Sequence, residues 1–243
     1  MDERIDDTGF GGIRVIQSRN FGYGVDSVLL AAFAAGETGA KGIASGTHAA
    51  DLGTGNGIVA FILAHKIKNI RVTGYELQED AWSRAVRALA LNGLEDRISF
   101  VNCDVKDIRA AGEMDAVVSN PPYFRRQGAI ASSSPERYLS RHESTADLRD
   151  FVSAASSMLK RGGSLYMVHR PDRLADIMNA MREAGTEPKY LQLVVPERGE
   201  APNIVLISGI KGAGSELHVL PQIEIRAEDG TYTKELLRIY ERC

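Results

Sequence analysis

Two stretches of this chain hold residue types that could do chemistry together. The first is Asn120-Pro121-Pro122-Tyr123, inside "DAVVSNPPYF". A short apolar run stops at Asn120, because proline cannot continue a central strand and pushes the residue before it towards extended geometry. The turn is stiff and leaves the Pro121 carbonyl outside ladder pairing. The Asn120 side-chain oxygen and that carbonyl are hydrogen-bond acceptors, and Tyr123 and Phe124 add aromatic faces. The second stretch is "DLGTGNG", Asp51 to Gly57. Glycines there permit positive φ and let a ligand approach the backbone, and a following helix N-terminus presents free N–H groups.

The elements that must position these residues follow from the apolar pattern. From about Ala49 the chain alternates short β-like runs with amphipathic helices. "HAADL", "RVTGYE", "ISFVNCD", "MDAVVSN", "SLYMVH", "YLQLVVPE" and "NIVLISGIK" read as seven strands. "IVAFILAHKIK", "EDAWSRAVRALALNG", "LRDFVSAASSMLK" with Asp147 as cap, and "DRLADIMNAMREAG" read as helices. Strands separated by single helices imply right-handed βαβ units and a mainly parallel sheet. The last two lack an intervening helix, which predicts an antiparallel edge hairpin joined by "RGEAP". Before this core, "GGIRVIQSRNFGYGVDSVLLAAFAA" reads as a strand or loop and a helix starting near Asp26 or Ser27. After it come a strand, a Gly230 turn and a short helix. The expected organisation is one domain over 1–243, with appendages at 1–47 and 215–243.

In such a sheet the glycine turn lies beyond the carboxyl end of the first strand, where ligands bind. A hydride-cofactor fingerprint would need glycines at 53, 55 and 58, but position 58 is Ile, and no Lys-Ser/Thr pair follows for a phosphate loop. Glu76 ends the second strand about twenty residues on, where an acid can take a ribose diol. Asp104 ends the third in "NCDV", placed for an adenine amino group with Val105 beside the ring. Each acid alone is equally well a helix cap or a solvated strand end. Their succession at three strand ends favours a nucleoside site.

"DLGTGNG", "YELQ", "NCDV" and "NPPY", in that order, resemble the motifs of class I S-adenosylmethionine-dependent methyltransferases, and "NPPY" resembles that of the amino-methylating members. "FGYGVDSVLLAAF", "RHE", "GGSLYMVHRPDRLADI", "PERGEAPNIVLISGIKG" and "LPQIEIRAEDGTYTKELLRIY" extend the resemblance to the bacterial tRNA adenine-N6 methyltransferases, which act on the adenosine 3′ of the anticodon of valine tRNA. The resemblance implies a Rossmann-like fold, S-adenosyl-L-methionine as cofactor and tRNA as partner. It places Asp51, Gly53, Thr54, Gly55, Gly57, Glu76, Leu77, Asp104, Val105 and Asn120 around the cofactor, with Tyr23 and Asp26 at its methionine end. Asn120, Pro121, Pro122 and Tyr123 would be catalytic.

The chemistry that the turn would then serve is amine methylation. An exocyclic nitrogen is a poor nucleophile because its lone pair is delocalised, and accepting both of its N–H bonds turns the lone pair outwards. Tyr123 and Phe124 would hold the base. Arg125, Arg126, Arg137 and Arg141 stand against Glu136 just after the turn; Arg125, Arg126 and Arg141 are expected to meet phosphate in a chain of net charge −3. The competing readings are a strand-ending turn with Tyr123 as core filler, a glutamine-amide methyltransferase of a translation release factor, a DNA adenine methyltransferase, which the lack of an obvious target-recognition domain disfavours, and a non-catalytic relative.

The totals fit this class. The 243 residues are 44% hydrophobic and 25% charged, a globular composition. The polar start "MDERIDD" is unlike a secretory signal, and "VLLAAFAA" is too short to cross a bilayer. The two cysteines, Cys103 and Cys243, and five scattered histidines form no zinc pattern, so no metal and a reducing cytoplasm are expected. His169, at a strand end, reads as structural with substrate contact as the alternative, and Trp82, in a helix, reads as packing.

Overall fold

The computed structural model describes residues 3–18, 22–109, 111–123 and 146–242. Phe124, Arg125, Arg126, Arg137 and Arg141, the expected base and phosphate contacts after the turn, lie outside the described residues.

The chain opens with an antiparallel hairpin, β1 (Glu3–Asp7) and β2 (Arg14–Ser18). The first strand comes from the polar segment that carried no strand signal in the sequence. Helix α1 (Val25–Ala35) follows, then β3 (His48–Leu52), α2 (Ile58–Lys66), β4 (Arg71–Glu76), α3 (Glu79–Asn92), β5 (Ile98–Asn102) and β6 (Met114–Ser119). Beyond the NPPY turn come α4 (Leu148–Met158), β7 (Leu159–His169), α5 (Leu174–Glu183), β8 (Thr186–Glu197) and β9 (Ile204–Lys211). Two short strands, β10 (His218–Val219) and β11 (Ile223–Arg226), precede α6 (Lys234–Ile239).

The main sheet runs β10-β8-β9-β7-β6-β3-β4-β5, with β11 also on β8. All neighbours are parallel except β9, which is antiparallel to β7 and β8. The seven long strands and the antiparallel hairpin are those the sequence pattern predicts. The C-terminal segment adds β10 and β11 outside the hairpin and so covers its free edge. The "RGG" segment lies within β7 rather than turning into it, and a register shift opposite Met114–Ala116 absorbs the irregularity. Pro188 is tolerated in β8 at a second register shift, where the strand has β9 as its partner and β10 has not yet begun.

Alternating strand residues feed two cores. Ala49, Val72, Ala116 and Val118 point to the layer of α1, α2 and α3, while Ala50, Leu52 and Val117 point to α4 and α5. Helix α1 is buried from Ser27 to Ala34 and α2 from Ile58 to Ala64, which explains their nearly unbroken apolar runs. Helix α4 starts with a capping box, Asp147 accepting from Arg149 and Asp150 while Asp150 accepts from Asp147. At the far end the buried Lys66 ammonium joins Glu37 at 3.0 Å and Glu241 at 2.8 Å, tying the C-terminal segment to α2.

The topology fixes the site. Strand β3 lies between β4 and β6, so the chain reverses its direction across the sheet at β3 and β6. Leu52 and Ser119 are paired there, and the Ser119 hydroxyl donates to the Leu52 carbonyl at 2.9 Å. A crevice beyond the carboxyl ends of these strands follows from that reversal.

Candidate active site

A cavity of about 410 Å³ occupies this crevice. One wall is the glycine turn. Gly55 has φ +60 and a Cβ there would meet nothing within 4 Å, so the backbone is open to the cavity at this point. Gly57 has φ +85 and also no room, because a Cβ would lie 2.6 Å from the Phe100 ring and 2.9 Å from Phe61. Those two rings meet edge to face at 5.7 Å beneath the turn, a contact worth about 0.5–1.5 kcal/mol beyond its area.

The acids at the strand ends divide their work. Asp51 is 1% exposed and accepts from the Thr54 hydroxyl at 2.5 Å, holding the turn closed on its own strand. Burial pushes its carboxyl up to about 7 against that hydrogen bond, and the charge of Glu76 adds to the rise. Glu76 accepts from the Gly55 amide at 2.8 Å on one oxygen and from the Gln78 amide at 2.9 Å on the other. Its own burial raises it, opposed by these backbone bonds. The Leu77 amide adds to them, and a carboxylate's roughly four acceptor positions still leave capacity for a ligand hydroxyl. Asp104 caps a 3₁₀ turn over Val105–Asp107 by accepting from the Lys106 amide at 3.0 Å, and it lines the cavity as well. The helix-cap reading and the ligand reading are thus compatible in one side chain.

The opposite wall is the NPPY turn. The Asn120 amide nitrogen donates to Ser27 Oγ at 3.1 Å. The Tyr123 hydroxyl has two acceptors within reach, Asn120 Oδ1 at 3.0 Å and Asp26 Oδ2 at 3.1 Å. Burial, then the nearby Asp26 charge, pushes the Tyr123 phenol far up, so it remains a hydroxyl donor. Its ring meets His169 edge on at 5.0 Å. His169 is 3% exposed, and burial lowers it to about 4, with the Arg173 charge assisting. Its Nδ1 accepts from the Arg170 amide at 2.8 Å, so the neutral ring carries its proton on Nε2.

The segment between the hairpin and α1 lines the cavity with Gly22, Tyr23 and Gly24, and the start of α1 adds Asp26 and Ser27. The Tyr23 amide donates to Gln17 Oε1 at 3.0 Å, and Asn56 of the glycine turn donates to the Ile16 carbonyl at 3.5 Å. These bonds bring Tyr23 and Asp26 to the cavity lining.

Residues 28–190 match the model of the methyltransferase small domain. The chain belongs to that family. It is 34% identical to the "tRNA1(Val) (adenine(37)-N6)-methyltransferase" of Porphyromonas gingivalis over 159 residues, 63% of this chain and 60% of that protein. The chain thus spans less than two thirds of that relative's length. A protein of the same name from Tolumonas auensis is 30% identical over 221 residues, 89% of this chain and 86% of that protein. In structure, a predicted O-methyltransferase from Agrobacterium tumefaciens superposes with a TM-score of 0.71 at 23% identity, covering 90% of this chain and 97% of that one.

On this methyltransferase scaffold the sequence-predicted residues that are described converge. Asp51, Gly53, Thr54, Gly55, Glu76, Leu77, Asp104, Val105, Asn120, Pro121, Pro122, Tyr123, Tyr23 and Asp26 all line the one cavity. Gly57 does not; it serves the turn from behind. Sequence reasoning missed Ser27 and Phe151, which lie in runs that read as buried helix faces. His169, read as structural with substrate contact as the alternative, packs on Tyr123 beside the site. Trp82 donates to the Phe100 carbonyl at 3.1 Å, a structural bond.

Proposed function

We propose that this protein transfers a methyl group from S-adenosylmethionine to the N6 of an unpaired adenosine in tRNA, next to the anticodon. The observation that carries this reading is the Asn120 amide, held by Ser27 at the mouth of a cavity whose other wall is Glu76 and the open Gly55 backbone.

The chain's donor set suits a nucleoside cofactor. The remaining acceptor capacity of Glu76 serves the ribose, Asp104 takes an exocyclic amine, and Val105 and Leu77 flank the ring. Asp51 and Thr54 hold the glycine turn in shape, and Tyr23 and Asp26 cover the methionine end. When bound, S-adenosylmethionine supplies a methyl group already activated by its sulfonium leaving group. Asn120 Oδ1 and the Pro121 carbonyl accept the two N–H bonds of the target amine and turn its lone pair outwards. Both acceptors also stabilise the positive charge that grows on the nitrogen, without needing to reorganise. Tyr123 receives the base, its hydroxyl anchored by Asp26 and its edge by His169. The proton leaves after transfer, because the methylated ammonium is strongly acidic.

A base beside an anticodon is already unpaired, which lowers the cost of presenting it to such a cavity. The names of the relatives from Porphyromonas gingivalis and Tolumonas auensis support tRNA as the substrate, and a tRNA substrate implies the cytoplasm. Among the described residues no helix is long and apolar enough to cross a membrane. The test is to incubate the protein and labelled S-adenosylmethionine separately with unmodified total tRNA, a DNA duplex and a translation release factor. Mass analysis of the digests is expected to find N6-methyladenosine in tRNA, lost when the anticodon-loop sequence is changed. Methylglutamine in the release factor with none in tRNA would replace this reading.

A further inference from the structure

Arg170 follows His169 directly, at the end of the strand that flanks the NPPY strand. Its backbone amide is fixed on the ring that touches Tyr123. Its side chain is 42% exposed, yet its Nε is buried without a hydrogen-bond partner among the described residues. Asp172 Oδ1 stands 3.5 Å from that nitrogen, an ion pair too long to satisfy it. The neighbouring Arg173 is different, because its Nε reaches Asp176 at 2.7 Å. The guanidinium of Arg170 is therefore partly exposed and loosely paired, one residue beyond the ring that touches Tyr123. Its charge is close enough to be felt at the Tyr123 hydroxyl.

We infer that Arg170 binds a backbone phosphate of the RNA, one adjoining the nucleotide whose base enters at Tyr123. This rests on the tRNA reading above and adds to it a named backbone contact. A nucleotide's phosphates lie within a few ångströms of its base, so a base received at Tyr123 brings its backbone towards Arg170. A guanidinium fork matches two phosphate oxygens and remains charged at any working pH. A chain of net charge −3 has no general attraction for RNA, so individual cations beside the site must supply it. Asp172 is the built-in competitor. It holds Arg170 loosely while no phosphate is present, and it repels the phosphate that replaces it.

The two residues make opposite predictions. Affinity for a tRNA transcript is measured between about 50 and 200 mM salt for wild type, R170A, R170K and D172N. R170A is expected to flatten the log–log slope by roughly 0.7–0.9 and to weaken binding by about tenfold. R170K keeps the slope, since it keeps the charge, while losing part of the affinity. D172N tightens binding. Calorimetric affinity for S-adenosylmethionine is expected to be unchanged in all three. An unchanged slope in R170A, or weaker binding in D172N, overturns the phosphate contact. So does lost cofactor affinity with an intact slope, which would give Arg170 the cofactor's carboxylate instead. If wild type neither binds nor methylates tRNA, the functional reading itself fails and the contact with it. Wild type that does both while R170A keeps its slope refutes the contact alone.

Discussion

The amide nitrogen of Asn120 and the hydroxyl oxygen of Ser27 lie 3.1 Å apart, although 93 positions separate them in the chain. Helix α1 thereby sets which end of the Asn120 amide is presented as an acceptor. Ser27→Ala removes that constraint and leaves the turn itself intact. A single hydrogen bond contributes about 0.5–1.5 kcal/mol, so the methyl-transfer rate is expected to fall by roughly two- to tenfold. Single-turnover kinetics measure the loss. The same change in an Asn120→Ala background should cost nothing further, because the group being oriented is gone. Equal losses in both backgrounds would make Ser27 a packing residue only.

Gly55 and Gly57 share positive φ but differ in surroundings. Gly55→Ala meets only the conformational cost of a left-handed residue, about 1–2 kcal/mol. Gly57→Ala adds a clash with Phe100 and Phe61, for which overpacking costs typically ~1–3 kcal/mol more. Urea denaturation of the two variants is expected to show Gly57→Ala as clearly the less stable. Equal losses would mean that the rings shift without cost.

Asp51 gives a pH dependence with a defined sign. Its carboxyl is raised from 3.8 to about 7, chiefly by burial. The folded state therefore holds a proton that the unfolded chain has released over that interval. The contribution of the protonated acid is fully present below about 4 and is lost as the pH rises through 7. Asp51→Asn cannot lose a proton, so its stability relative to wild type should improve steadily between pH 4 and 7 and level off above. Denaturation midpoints across that range provide the check, and parallel curves would contradict it.

Much of this site was legible in the sequence because it lies at strand ends. Asp51, Glu76, Asp104 and Asn120 each close an apolar run, and parallel strands joined by helices deliver their carboxyl ends to one edge. The remainder depends on what the sheet places side by side. His169 meets Tyr123 because β6 and β7 are neighbours in register, Ser119 against Met167, and no local pattern encodes that adjacency. Ser27 stands in an apolar run whose burial is equally explained by packing. Strand β1 escaped notice because it is half of a two-stranded ribbon, and its residues alternate weakly between exposed and half-buried. Without a buried face, Glu3–Asp7 has no reason to carry the apolar alternation by which strands are read.

The central claim is that Asn120 acts on the target amine and not on the fold or the cofactor. Asn120→Ala separates these roles in one measurement, single-turnover methyl transfer to tRNA alongside the calorimetric affinity for S-adenosylmethionine. Loss of one preorganised polar contact at a reaction centre costs ~10²–10³ in rate. Transfer is therefore predicted to collapse by about that factor while cofactor affinity stays within a few-fold of wild type. Near-normal transfer by Asn120→Ala would contradict the account and reduce NPPY to a turn that ends a strand.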